Sequence, residues 1–479
     1  MKSYYYEWFQ KTINFFIFLF FPLALISNLF VYTSFLSGTM KVVALLVIGV
    51  SYLLAVHFLK DRIRILLKKT IDFLSKWPKW KLLLVIIAIA SILKALAYVF
   101  FFFDSTLGGG DITIYNKVAD MIVNEGYSSV SEVIYYIVGM GSHLAIFKYL
   151  HIPIHFGIYL VFMLATTINF YAFSDVIGKE KSFIALMLYM LMPSTVMLTF
   201  CATHELFVYL YFSIIFYLFN CFFKSTKTIR TCVLGVLLAV FIILNQTVSP
   251  IAKIWFIVMA IFLLLTRVKL TKKIIIVLIF IVSLIVPSFM TTGLEDNYLS
   301  QLNNVEQLLI GADINSGGHH TDGRGLNAAK AYYEKHGLEV TYDNLLEGEI
   351  GALKETYLHL LTHPFDLFRL LANKFYTAWS GDFYSIELGH SFGGYGVIPY
   401  YLMLVVSGAL WLVAMSIGTI YYEPKKEGMD AFNYKLVLLG IVAVLLIVEI
   451  ANKYSCYMTA FIYLIAFARA NLKEDSTNG

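Results

Sequence analysis

Residues 204–224 read HELFVYLYFSIIFYLFNCFFK. A His–Glu pair opens the stretch and a lysine closes it, and residues 206–223 between them carry no charge. At 1.5 Å of helical rise per residue, a run of about twenty apolar residues crosses a hydrocarbon layer of about 30 Å. The same pattern recurs in both directions. Apolar runs predict helices at about 13–36, 41–59, 82–103, 154–177, 182–200, 206–223, 231–246, 251–266, 274–291, 397–420, 433–450 and 453–469. Hydrophobic residues make up 59% of the 479 positions and charged residues 14%. A soluble domain carries about 25% charged residues. The fold expected is therefore an all-α polytopic membrane protein of about 12 transmembrane helices. The first apolar run, Ile13 to Leu36, is too long for a secretory leader and reads as a retained helix.

Charge orients the bundle. Lys60, Arg62, Arg64, Lys68, Lys69, Lys76, Lys79 and Lys81 crowd residues 60–81, which marks that loop as cytoplasmic. The pairs and triplets Lys179/Lys181, Lys224/Lys227/Arg230, Arg267/Lys269/Lys272/Lys273 and Lys425/Lys426 mark further cytoplasmic turns. Twelve crossings put all of them, and both termini, inside. The net charge of +5 thus reports orientation, not nucleic acid. Counting Val130 to Leu150 as a crossing would invert everything after it. That stretch holds Gly139, Gly141, Ser142 and His143, and reads as re-entrant or peripheral on the outer side. Cys201, Cys221, Cys232 and Cys456 show no CxxC spacing and read as small buried apolar residues.

Four regions follow: two N-terminal helices with a basic loop (1–81), a membrane core with a first outer loop at 104–150 (82–291), an extracytoplasmic segment (292–396) and C-terminal helices with a tail (397–479). The segment 292–363 is acidic, with turn chemistry at Asn315-Ser-Gly-Gly318 and Asp322-Gly-Arg324-Gly325. Asn327 to His336 and Glu349 to Thr362 read as helices, and His363-Pro364 breaks the second. Phe365 to Trp379 is amphipathic and reads as an interfacial helix on the outer leaflet, with Arg369 and Lys374 among its apolar residues.

Polar groups gather at the outer ends. Asp111 opens a helical pattern after a Gly108-Gly-Gly110 run, where an acid serves equally well as an N-cap. His204 and Glu205 sit between two apolar helices. A carboxylate facing lipid at depth costs about 2.5–3.5 kcal/mol, which turns Glu205 toward protein or a polar cavity. Asn245 and Lys253 belong to the next outer turn, where Lys253 can snorkel to the interface. Lys94 lies deeper in its helix. Glu449 and Lys453, four apart, suit a local ion pair. His319, His320 and Arg324 stand in a glycine-rich loop, read either as solvated or as a phosphate or metal contact. Walker, GxSxG and HExxH motifs are absent.

In order and spacing, residues 82–380 resemble the GT-C superfamily of membrane glycosyltransferases, in particular the group with protein O-mannosyltransferases and the aminoarabinose transferase of lipid A (family 39-like). The resemblance rests on Gly110-Asp111-Ile-Thr-Ile-Tyr115-Asn-Lys-Val-Ala119, on Leu191-Met-Pro193 through Glu205-Leu-Phe, on Gly235 to Pro250, and on His363-Pro364 to Lys374-Phe-Tyr-Thr-Ala-Trp379. It implies a GT-C-like fold in the plasma membrane of a bacterium with the active site outside. It implies transfer of a sugar from a polyprenyl-phosphate donor to a glycan, lipid or protein acceptor. Asp111 would be the general base. Glu205, with His204 beside it, would orient sugar or acceptor, or with Asp111 hold a divalent metal. Tyr115, Asn245, Lys253, His319, His320, Arg324, Arg369 and Lys374 would bind substrate, the cations meeting the phosphate. No cofactor is required, because the lipid donor is already activated. A lipid-linked sugar transporter or flippase, and an O-antigen-type polymerase, remain as alternatives.

Overall fold

The computed structural model describes residues 2–31, 38–101, 110–130, 133, 135–199, 202–265, 269–291, 297–318, 324–379, 398–421, 429–448 and 458–469. Among them the chain is helical throughout, with no strand. The helices are α1 (Lys2–Val31), α2 (Gly38–Ser75), α3 (Lys79–Phe101), α4 (Gly110–Glu125), α5 (Tyr135–Tyr149), α6 (Ile154–Ile177), α7 (Lys179–Met190), α8 (Pro193–Leu198), α9 (His204–Lys224), α10 (Thr228–Val248), α11 (Ile254–Leu265), α12 (Leu270–Thr291), α13 (Asn297–Ala312), α14 (Arg324–Lys335), α15 (Leu345–Thr362), α16 (Pro364–Trp379), α17 (Ile398–Ile420), α18 (Met429–Ile447) and α19 (Thr459–Arg469). Among the described residues, six stretches are long and apolar enough to cross a membrane: Glu7–Asn28, Val42–Ser75, Ile154–Ile177, His204–Lys224, Thr228–Val248 and Leu270–Pro287. Several such helices are what an integral membrane protein requires.

Helix α9 is the axis of the bundle. Its side chains are apolar on every face, so it must be surrounded rather than laid on a surface. Fifteen of its residues are buried, from Glu205 to Phe222. Phe212 and Phe216 meet Trp255 of α11 at 5.4 and 5.1 Å between ring centroids. Phe216 stacks on Tyr434 of α18 at 4.1 Å and meets Phe461 of α19 at 5.1 Å. Two amides satisfy the phenols in this apolar interior: Asn220 Nδ2 donates to Tyr434 Oη at 3.1 Å, and Asn169 Nδ2 of α6 to Tyr209 Oη at 3.2 Å. Burying either phenol without a partner would cost about 1–3 kcal/mol.

Several sequence expectations need correction. Residues 60–75 are not a loop: α2 runs unbroken for 38 residues, about 57 Å, nearly twice the thickness of a hydrocarbon core. Lys, Arg, Leu and Ile are good helix formers, and nothing before Pro78 stops them. The expected helix at 182–200 is two helices, α7 and α8, broken at Leu191–Met192. Pro193 opens α8, where its missing N–H costs nothing. Thr195 Oγ1 donates to Tyr189 O at 2.6 Å and satisfies a carbonyl freed by the break. The stretch 130–150 contains α5, whose 15 residues span about 22 Å, short of a full crossing.

Helices α13, α14 and α15 pack on one another apart from the main core, an outer unit in that sense alone, and α16 returns from it to the bundle. Helix α13 was not anticipated from sequence. Helices α14 and α15 begin three and four residues earlier than expected, at Arg324 and Leu345. His363 ends α15, and Pro364 starts α16. Asn28 Nδ2 of α1 donates to Trp379 O at 2.7 Å, and Phe20 meets the Trp379 ring at 5.0 Å, so the end of α16 is fixed to α1.

Candidate functional site

Helix α4 buries Ile112, Tyr115, Val118, Ala119 and Ile122. These positions recur every three or four residues and form one face. That face holds α4 against α5, its main partner. Lys148 Nζ of α5 pairs with Asp120 Oδ1 at 2.5 Å, and Tyr149 Oη donates to Ile122 O at 3.2 Å. Asp111 stands in the first turn of α4, one helical turn before Tyr115. Its side chain lies outside the described part of the structure.

Tyr115 reaches across to the start of α9. Its hydroxyl lies 3.3 Å from His204 Nδ1, with the two rings edge-on at 6.5 Å. The same His204 Nδ1 lies 3.5 Å from Glu205 Oε2. One ring nitrogen therefore serves two neighbours: protonated, it donates to the carboxylate, and bare, it accepts from the phenol. Glu205 is 1% exposed, in the first turn of α9, where the positive end of the helix dipole favours a carboxylate. Among the described residues its Oε1 has no hydrogen-bond partner. The same holds for Thr203 Oγ1, just before the helix, and for both amide atoms of Asn245. A buried polar atom without a partner is costly, and water or a ligand usually supplies the missing bond.

Asn245 belongs to the same layer as Glu205. Helices α9 and α10 are antiparallel neighbours joined by three residues, so the last turn of α10 lies beside the first turn of α9. Helix α5 wedges against both. Gly139 packs directly on Thr247 O, so a side chain there has no room. His143 hydrogen-bonds Tyr211 Oη through Nε2, and its ring meets Phe207 at 5.0 Å. The His143–Tyr211 pair was not anticipated: its members are 68 residues apart, and neither carries a local motif.

Lys94 of α3 supports the turn before α9. Its ammonium donates to Thr199 O at 2.6 Å and His155 O at 3.1 Å, and lies 4.7 Å over the Tyr159 ring. It thus binds a carbonyl just past the end of α8, five residues before His204.

The remaining cations scatter. Lys253 is exposed at the end of a short 3-10 turn, Pro250–Lys253, after α10. Arg369 is exposed on α16. Arg324 opens α14 in the outer unit and pairs with Asp313 Oδ1 at 3.2 Å. Lys374 is expected from sequence to meet phosphate at headgroup height. It is fully buried, and its ammonium donates to Gly311 O at 2.9 Å and Val448 O at 2.6 Å. It ties the end of α13 to the end of α18. His319, His320, Glu449 and Lys453 lie outside the described residues, as do Cys201 and Cys456; Cys221 and Cys232 are free thiols.

The outer unit has its own buried acid. Glu349 of α15 is 3% exposed, pressed against Gly325, whose N–H donates to Glu306 Oε1 at 3.0 Å. Burial first, and the neighbouring Glu306 carboxylate second, push the Glu349 carboxyl up to about 7.

Tyr115, His204 and Glu205 thus come together, with Asn245 in their layer. Arg324 and Lys374 are held elsewhere. A divalent ion at Glu205 would find one carboxylate oxygen and an imidazole. Among the described residues no three His, Cys, Asp or Glu side chains gather to complete such a site. Compared with protein-family models and with curated proteins, the chain matches none.

Proposed function

We propose that the chain is a GT-C-type glycosyltransferase of about twelve crossings. It would move a sugar from a polyprenyl-phosphate donor to an envelope glycan, lipid or protein acceptor outside the cytoplasm. One observation supports this reading above the others. Tyr115, a turn after Asp111 on α4, meets His204 beside the buried Glu205 on α9. Tyr115 thereby links the helix that carries Asp111 to the helix that carries Glu205.

In this mechanism the acceptor hydroxyl oxygen bonds to the anomeric carbon as the bond from that carbon to the phosphate oxygen breaks. Asp111 takes the hydroxyl proton, and the lipid phosphate leaves with the electron pair. A positioned carboxylate base is worth about 10²–10⁴-fold. Glu205 Oε1, Thr203 Oγ1 and the Asn245 amide, unpartnered among the described residues, have the capacity to bind sugar hydroxyls. Lys253 and Arg369, both exposed, are the cations left to meet phosphate. No step is routed through a metal.

The test is transfer in proteoliposomes with a polyprenyl-phosphate sugar, coupled to mass spectrometry of envelope glycans from a deletion strain and its parent. Asp111→Asn should fold normally and lose transfer; full activity would remove Asp111 as the base. Unchanged envelope glycans would remove the transferase reading altogether.

The break between α7 and α8, with buried Ser194 and Thr195 and with Lys94 at its far end, favours a second reading. Discontinuous helices with polar groups are features of membrane transporters, which suits a transporter of lipid-linked sugars. Cysteine labelling of position 195 from both sides of the membrane separates the two. A transporter admits reagent from each side, and a transferase only from outside.

A further inference from the structure

We propose that the corner joining α15 to α16 is seated in the lipid leaflet beside the helix bundle, with Leu358, Leu361, Phe365 and Phe368 among the acyl chains. These four side chains are 63%, 73%, 88% and 74% exposed. They come from both helices, and His363-Pro364 folds the chain between them. The other face of α16 is already used: Leu367 and Leu370 pack on a small core with Ala312 and Leu360. An apolar cluster this open is rare on a water-facing surface.

Three observations select lipid as the occupant. First, α16 grows out of the membrane bundle. Its far end carries Phe375 and Trp379, which rest on Phe20 at 6.0 and 5.0 Å, within the membrane-length stretch Glu7–Asn28. Pro364 at the corner lies about 16 Å of helix from Phe375 and about 22 Å from Trp379. Second, the corner has a cationic collar. Lys354 lies one turn before Leu358, and Arg369 one turn after Phe365, and both are exposed. Phosphates lie just above acyl chains in a leaflet, which is the spacing this collar fits. Third, the corner's acid is engaged: Asp366 Oδ2 lies 3.3 Å from His359 Nε2. The expectation from sequence was a helix lying flat along the leaflet. The structure instead gathers the open apolar groups at a tip and draws them equally from α15. This inference shares Arg369 with the phosphate contact proposed above but does not rest on that chemistry.

The wild-type chain tests it, with one chain per lipid nanodisc of phosphatidylcholine and phosphatidylglycerol. The discs carry a phosphatidylcholine with a diazirine near the end of one acyl chain. Trypsin cuts after Lys335, Lys354 and Arg369, so peptide 355–369 holds all four side chains. Peptide 336–354 holds Leu338 and Tyr342, also exposed, at the far end of α15. After photolysis, peptide 355–369 should carry several-fold more lipid adduct than 336–354. Exchanging Phe365 and Phe368 for serine together should remove most of that excess. Equal labelling of the two peptides overturns the proposal, as does an excess unchanged in the double variant. Single-chain loading keeps a second copy from covering the corner.

Discussion

Replacing Glu349 by glutamine should flatten the pH dependence of the outer unit and stabilise it above neutral pH. The Glu349 carboxyl ionises near pH 7 in the fold and near 4.5 in an open chain. Between those values the folded state holds a proton that the open chain has released. Stability therefore falls as pH rises, and the full loss is reached above about pH 7. At about 1.4 kcal/mol per pH unit, the shift sets an upper limit of about 3.5 kcal/mol, of which solvent screening leaves about 2–3 kcal/mol. A glutamine keeps the shape of the protonated acid and never ionises. At pH 8 the variant should resist opening better than the wild type by about 2–3 kcal/mol, a change of roughly 30- to 150-fold in the opening equilibrium. At pH 4.5 and below the two should agree. Amide hydrogen exchange of α13, α14 and α15 in detergent-purified protein, corrected for the intrinsic pH dependence of exchange, reads this directly. Glu347→Gln, an exposed neighbour, is the control. Equal protection of wild type and Glu349→Gln at pH 8 would refute the argument, because it would mean that the buried carboxylate carries no penalty.

Further expectations follow from the core of the molecule. Glu205→Gln should lower transfer by about 10²–10⁴-fold, in the range of a lost positioned carboxylate, while leaving the thermal midpoint near that of the wild type; a large loss of midpoint would make Glu205 structural. Lys374→Met leaves the Gly311 and Val448 carbonyls buried and unpaired, at about 1–3 kcal/mol each. It should lower the midpoint of the purified protein, and an unchanged midpoint would show that the tie between α13 and α18 is dispensable. Gly139→Val should drive α5 off Thr247 and cost about 1–3 kcal/mol or more, seen as loss of the monodisperse fraction in size-exclusion chromatography.

Charge and apolar length made α9 readable from sequence: residues 206–223 are uncharged, and Glu205 and Lys224 mark its ends. The same rule misjudged α2, because lysine and arginine report water but do not stop a helix. It also joined α7 to α8, since Pro193 lies in an apolar run that gives no other sign of a break. Helix α13 was missed because Asn297, Asn303 and Asn304 resemble loop chemistry, while its buried apolar side chains, Leu302, Leu309, Ile310 and Ala312, are few. At the site, Glu205 was legible as a polar group at an apolar end, and Tyr115 only through its place in the resemblance. The burial of Lys374 was not: its partners are backbone carbonyls 63 and 74 residues away, and a carbonyl has no sequence signature.

The central position of α9 bears on how the molecule is made. A ribosome delivers residues 204–224 long before Tyr434 and Phe461, the rings that close around Phe216. Until those late segments insert, one flank of α9 has only lipid or an insertion factor against it, and Asn220 lacks the Tyr434 phenol. The packing around Phe216 is therefore complete only near the end of synthesis, and a nascent chain halted before residue 429 would carry His204 and Glu205 on a helix whose middle still lacks part of its aromatic wall.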